Sequence, residues 1–118
     1  MVEQPGLTNL LEAALRASAL RGKAIANNVA NLDTPGYRRI AVAFEQELAK
    51  AMESGQVNLA DLQMKVYQPG TTPVNSQGND VNLDVEIGDM IKNGAAYKTY
   101  MRLLEKLYSQ MDLAMQGV

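Results

Sequence analysis

The sequence predicts a mostly α-helical fold. Long N- and C-terminal helices form an antiparallel, coiled-coil-like hairpin, joined by a short middle helix and an irregular loop with a short β segment. Three observations carry this. Apolar residues alternate at spacings of four and three over residues 11–32 and again over 83–115, the signature of a helix packed lengthwise on another. Strong turn chemistry, Thr34-Pro35-Gly36-Tyr37, closes the first stretch. A chain of 118 residues with one Phe and no Trp suits a thin helix–helix seam better than a thick globular core. The expected organisation is a single domain over 1–118, with an N-terminal helix at 7–33, a turn at 34–39 and a short helix at 40–54. An irregular connector at 55–83 and a C-terminal helix at 84–116 complete it.

Pro5-Gly6 precedes the first helix, and Thr8 is the candidate cap. Its seam runs Leu11, Leu15, Ser18, Gly22, Ile25, Val29, Leu32, with small residues at Ser18 and Gly22 where a partner can approach closely. A shallower stripe of Ala14, Ala17, Leu20 or Arg21, and Ala24 flanks it. At 1.5 Å per residue this helix spans roughly 40 Å. It must stop at Leu32 or Asp33, because Pro35 biases Thr34 away from the helical region, Gly36 accepts positive φ and Asp33 can cap its own backbone. Asn27, Asn28 and Asn31 crowd the last turn. Asn is a poor helix former, so its repetition costs stability and asks for a reason; the cluster reads either as a solvated, fraying last turn or as side chains bonded to fix the turn or a subunit contact. Tyr37 is expected to anchor the turn by packing, and Arg38-Arg39 to be a solvated pair.

In the middle helix Phe44, Leu48 and Met52 share one face, and Ser54-Gly55 closes it. The connector is broken by Pro69-Gly70, Pro73 and Asn75-Ser76-Gln77-Gly78-Asn79, while Met64-Lys65-Val66-Tyr67 alternates as one short strand. Val81–Val85 also alternates by two, which places the last helix start near Asp84, with Asp84 and Glu86 suited to its N-terminus. The second seam is Leu83, Ile87, Met90, Gly94, Tyr97, Met101, Leu104, Tyr108, Met111 and Met115. Two helices alone bury one stripe each. The Ala stripe, with Tyr100, Leu103 and Leu107, is then left over for other chains, so self-association is expected.

Without Cys or His the chain has no disulfides, no thiol chemistry, none of the commonest zinc ligands and no Ser-His or Cys-His pair. No glycine loop has a phosphate-cradling pattern. The chain is therefore expected not to be an enzyme and to have no catalytic, cofactor-binding or metal residues. A convergence of Asp33, Asp61 and Asp84 in the fold would reverse that. The net charge of −2 with interspersed signs argues against nucleic acid. No run reaches transmembrane length, and the start lacks a secretory signal pattern, which taken alone would place the chain in the cytoplasm.

The run Asn27-Asn28-Val29-Ala30-Asn31-Leu32-Asp33-Thr34-Pro35-Gly36-Tyr37-Arg38 resembles the N-terminal signature of the flagellar axial proteins (rod, hook and hook-associated). The short middle leaves no room for the extra β-rich domains of the hook and distal-rod members, so the chain looks like the rod subfamily. Gly78-Asn79-Asp80-Val81-Asn82-Leu83-Asp84-Val85-Glu86 resembles the box before the C-terminal helix of its proximal-rod branch. The sister rod branch carries Arg-Ala-Tyr-Glu-Ala-Asn in that helix, and here Ala95-Ala96-Tyr97-Lys98-Thr99-Tyr100 shares only the Ala-Tyr core. The resemblance covers both ends of the chain, and the middle matches little beyond its length.

The resemblance implies a structural subunit of the basal-body rod, packing its terminal helices with those of its neighbours into a helical tube that transmits torque. It implies assembly with itself and other rod proteins, contact with a ring or adaptor at the rod base, and passage through the flagellar type III export apparatus. The destination is then the periplasmic rod, reached without a cleaved signal peptide and without membrane insertion. It also makes Asn27, Asn28, Asn31, Asp33, Thr34, Pro35, Gly36 and Tyr37 the family turn motif. The assembly seam is Leu11, Leu15, Ile25, Val29, Leu32, Ile87, Met90, Tyr97, Met101, Leu104, Tyr108 and Met111, divided between the hairpin's own core and neighbouring subunits. The competing readings are the sister rod protein and a helical-hairpin export chaperone or adaptor. The adaptor would share the heptads but has no need of either box.

Overall fold

The computed structural model describes residues 6–55, 58–59 and 62–117; Asp61 lies outside them. Along the chain come α1 (Leu7–Ala30), β1 (Ala41–Ala43), α2 (Glu45–Ser54), β2 (Lys65–Tyr67) and α3 (Leu83–Gln116). The protein is mostly helical, and its two long helices pack on each other. They run antiparallel: Glu12 bonds Tyr108, Ser18 bonds Asn93 and Asn28 bonds Glu86, one partner climbing as the other descends. The molecule measures 66 × 30 × 15 Å, long and thin as a helical hairpin with a light cover should be.

The cover is the middle of the chain. β1 pairs antiparallel with β2, Val42 opposite Val66. Phe44 and Leu59 close over Ala13, Ala14 and Ala17 of α1, with Leu10, Leu48, Leu62, Met64 and Tyr100 packed around them. Burying a Phe contributes about 1.5–3 kcal/mol, which makes this small cluster the main apolar tie between hairpin and cover. Arg16 donates to the Leu59 carbonyl at 2.7 Å, and Arg21 reaches both Glu45 and the Val42 carbonyl. The Ala stripe is therefore not left over for other chains. This chain's own connector occupies it, and the small alanine side chains let that connector lie close.

Element ends differ from expectation for identifiable reasons. α1 is capped at Gly6 without a side-chain bond, so Thr8 lies inside the first turn and does not cap. The helix ends at Ala30 rather than 33, because the Asn31 carbonyl is taken by Thr34 N–H and by the Asn79 side chain. The middle helix starts at Glu45, not 40. Both backbone groups of Ile40 are bonded to the Asn28 side chain, and Ala41–Ala43 is paired as strand, which holds the segment extended up to Phe44. α3 starts at Leu83 instead of continuing an extended run to Val85, since the Asn82 side chain accepts from the backbone N–H groups of Asp84 and Val85 and caps the helix there.

The rotation of α3 also differs. Its less exposed positions are 85, 86, 88, 89, 93, 96, 100, 101, 104 and 107, most of them on one line facing α1, whereas Ile87, Met90, Gly94, Tyr97, Tyr108, Met111 and Met115 are exposed. The apolar seam is turned about a quarter of a revolution away from α1. Two polar residues set this rotation: buried Glu86 and half-buried Asn93 face α1 and are bonded there, and hydropathy reads both as solvated. The small residues at Ser18 and Gly22 admit Asn93, which donates to the Ser18 carbonyl and lies 3.7 Å from where a Gly22 Cβ would sit.

Candidate functional site

The two sequence boxes meet at one end of the hairpin in a polar clasp. Asn28 is 0% exposed and uses its whole bonding capacity. Its amide donates to the Ile40 carbonyl (2.9 Å) and to Glu86 Oε2 (3.1 Å). Its carbonyl oxygen accepts from Tyr37 O–H and Ile40 N–H, both at 2.9 Å. Two donors and two lone pairs are all an Asn side chain has. Asn27 donates to Tyr37 Oη at 2.8 Å, so the ring is held at its hydroxyl from two positions of α1.

Behind Asn28 lies an ionic layer. Glu86, also 0% exposed, receives Arg39 Nε at 2.7 Å, and the same guanidinium reaches Asp89 at 3.2 Å. Arg39 N–H donates to Asp80 Oδ1 at 2.6 Å, and Arg38 lies 4.0 Å from Asp80. Arg39 is therefore no solvated neighbour of Arg38. It is buried within the chain, because the carboxylates of Glu86 and Asp89 on α3 replace its water. No buried side-chain polar atom among the described residues lacks a partner.

The turn itself is stitched to the connector. Asn79 donates to the carbonyls of Asn31 and Thr34, both at 2.9 Å, and Gly36 N–H donates to the Gln77 carbonyl at 2.8 Å. Thr34 donates to Asn31 Oδ1, and the Asn31 amide to the Asn27 carbonyl. Gly36 and Gly78 face each other at φ +77° and +79°, a conformation that side chains with a Cβ seldom adopt. Asp33 and Pro35 stand exposed at the tip. Burial raises the Tyr37 hydroxyl pKa, with Glu86 and Asp80 adding to the shift and the Asn27 bond opposing it.

Of the α1 seam, Leu11 and Ile25 are buried, and Leu15, Val29 and Leu32 are partly buried. On α3, Met101 and Leu104 are partly buried, while Ile87, Met90, Tyr97, Tyr108 and Met111 are exposed. Sequence reasoning missed Arg39, Asp80, Glu86 and Asn79 as partners of the Asn cluster. The only signal was the two boxes themselves, whose residues gave no pairing.

Chemically the clasp binds together rather than reacts. Its two buried carboxylates are held by fixed donors, and no group of three metal-capable side chains occurs among the described residues. A groove of about 350 Å³ beside it is lined by both Arg21 and Arg39, each already paired to a carboxylate.

The sequence model of the family described as Flagella basal body rod protein matches residues 9–38, which is α1 and the turn up to Arg38. The flagellar basal body rod protein FlgB of Bacillus subtilis (strain 168) is 25% identical over 122 residues, covering 95% of each chain. That of Aeromonas hydrophila is 27% identical over 116 residues, covering 88% of each. Over most of its length the chain is similar to flagellar basal-body rod proteins. The FlgB of Borreliella burgdorferi is 25% identical over 117 residues, covering 83% of this chain and 87% of its own. These relatives are matched almost end to end, so both halves of the clasp lie within the shared length. The rod proteins matched here are FlgB proteins, in keeping with the box at Gly78–Glu86 and against the sister rod branch, FlgC. Their names are those of a structural part and not of an enzyme.

Proposed function

We propose that the protein is a structural subunit of the proximal rod of the flagellar basal body, packing through its terminal helices with copies of itself and other rod proteins into a helical tube that transmits torque. The observation that carries this, beside the likeness to FlgB, is the α3 seam. Ile87, Met90, Tyr97, Tyr108 and Met111 line one helix at spacings that put them on one side, and each is at least 41% exposed in the single chain. Such a stripe is more apolar than a lone hairpin needs and fits neighbouring helices. A contact between unlike surfaces, repeated by rotation and rise, builds an open helical array. The clasp then presets the angle between the two helices that each neighbour meets.

In this reading the seam residues divide by helix. Leu11 and Ile25 belong to the hairpin's interior, and the exposed α3 residues face other subunits. The wider setting follows the same reading: a place in the periplasmic rod, passage through the flagellar type III export apparatus without a cleaved signal, and contact at the rod base with a ring or adaptor. No helix among the described residues is long and apolar enough to cross a membrane. In-frame deletion in the source organism, scored by motility and by electron microscopy of isolated basal bodies, tests it. Ring structures without rod or hook are expected, and motile cells with intact basal bodies would refute the reading.

A further inference from the structure

The outward face of α3, opposite α1, carries a second stripe that the assembly seam does not use. Asp84, Gly88, Ile91, Ala95, Lys98 and Arg102 follow one another at spacings of four and three, so they share a face. Ile91 is 68% exposed, the most exposed large apolar side chain of the helix's N-terminal half, and Asp84, Lys98 and Arg102 are exposed without an ion pair among those of the described residues. The basic end is no compensation of the helix dipole, because the last turn of α3 has no basic residue and Lys98 and Arg102 lie well before it. Lys98 and Arg102 are like charges four apart, which by itself disfavours a helix.

The order along the stripe is acid, glycine, isoleucine, alanine, base, base. Reversed and laid against itself, it is complementary. We propose that this face is a contact for a second copy of the chain, α3 against α3 in antiparallel orientation, related by a two-fold axis level with the midpoint between Ile91 and Ala95. Ile91 of each chain then meets Ala95 of the other, Gly88 leaves room for the Lys98 stem, and Asp84 meets Arg102 at both ends. A parallel pairing would instead set Asp84 on Asp84 and Arg102 on Arg102. A Cβ at Gly88 would meet nothing within 4 Å in the single chain, so the space beside it is open. The contact is isologous and closes on itself, so it cannot propagate a polar tube. A partner helix here also overlies the flank of the seam at Ile87 and Met90. The pair is thus a closed, short-lived form (its contact spans only about five helical turns, roughly 27 Å) that competes with the open array and does not require the rod reading to hold.

The chain has no cysteine, which makes the test direct. Full-length Ile91→Cys and Ala95→Cys chains, mixed and oxidised near millimolar concentration, should give the mixed disulfide in excess of the statistical proportion. Equal or dominant homodisulfides would overturn the antiparallel register. By sedimentation equilibrium of the unmodified chain, Asp84→Arg should weaken dimerisation about tenfold, and Asp84→Arg with Arg102→Asp should restore it. A helical circular-dichroism spectrum in each variant shows that the fold is kept. No dimer at millimolar concentration, or a dimer indifferent to the reversal, would refute the proposal while leaving the rod assignment untouched. Intact rods in cells deleted for the protein, with this dimer present in the purified chain, would do the opposite.

Discussion

Asn28 and Glu86 stand 58 positions apart in the chain and are joined by a 3.1 Å hydrogen bond from which water is wholly excluded. Through that bond the last full turn of α1 and the first turn of α3 fix each other. Asn28→Asp replaces the two donors with acceptors and sets a second carboxylate against Glu86. The expected loss is about 3–5 kcal/mol, the cost of an uncompensated buried charge, read as a lower urea midpoint at neutral pH.

Arg39 and Glu86 form the buried ion pair of the clasp, and removing one partner strands the other. Arg39→Met is expected to cost about 3–5 kcal/mol, whereas Arg39→Met with Glu86→Leu recovers most of it, since a well-packed apolar pair of similar volume is often no worse than a buried ionic one. Urea unfolding of the two singles and the double closes the cycle.

Gly36 holds φ +77° with nothing within 4 Å of an added Cβ, so the constraint is in the backbone and not in its neighbours. Gly36→Val should cost at least about 1–2 kcal/mol and abolish assembly without abolishing expression, while Gly36→Asn, which tolerates the left-handed region, retains more of both. Swarming of the two strains and the protein level in each give the comparison.

The α3 seam separates stability from assembly. Met90→Glu alters a half-exposed side chain and should shift unfolding by no more than about 0.5 kcal/mol, yet the strain should be non-motile. A large loss of stability in the purified variant would show that Met90 belongs to the hairpin's own core.

Two groups set limits in pH. The hydrogen bond from Arg21 holds the Glu45 carboxyl below its ordinary value of 4.5, so the stability it contributes is present above that value and lost as pH falls through the lower, folded one. Arg21→Ala should remove that acid-side loss in urea midpoints taken across the range. Tyr37, raised above 10.0 chiefly by burial, acts in the other direction: its contribution is present below pH 10.0 and lost as pH rises through the folded value, an alkaline limb that Tyr37→Phe should remove.

The amphipathic periods, the Pro-Gly stop and the Asn-rich turn were legible because each is local. A helix, its stop and its poor helix formers are read within a few residues. Long helices at both ends, one short strand at 65–67 and a turn at Gly36 all follow from such local rules. The box at Gly78–Glu86 was legible as a resemblance but not as geometry, since nothing local in Asp80 or Glu86 names Arg39 as its partner.

Tertiary structure alone decided which line of α3 turns toward α1. Periodicity offers two adjacent lines and favours the more apolar one, but bonding Glu86 and Asn93 to their partners on α1 rotated the helix to the other. It also decided that Ile40–Ala43 is extended, because bonds from Asn28 and β2 outweigh a weak helical preference, and that the Ala stripe is covered from within the chain. The Ala stripe is covered by apolar residues, Phe44 and Leu59, but in the other two cases a polar group had to find its partner from far along the sequence. Leaving it unpaired costs more than any local propensity returns.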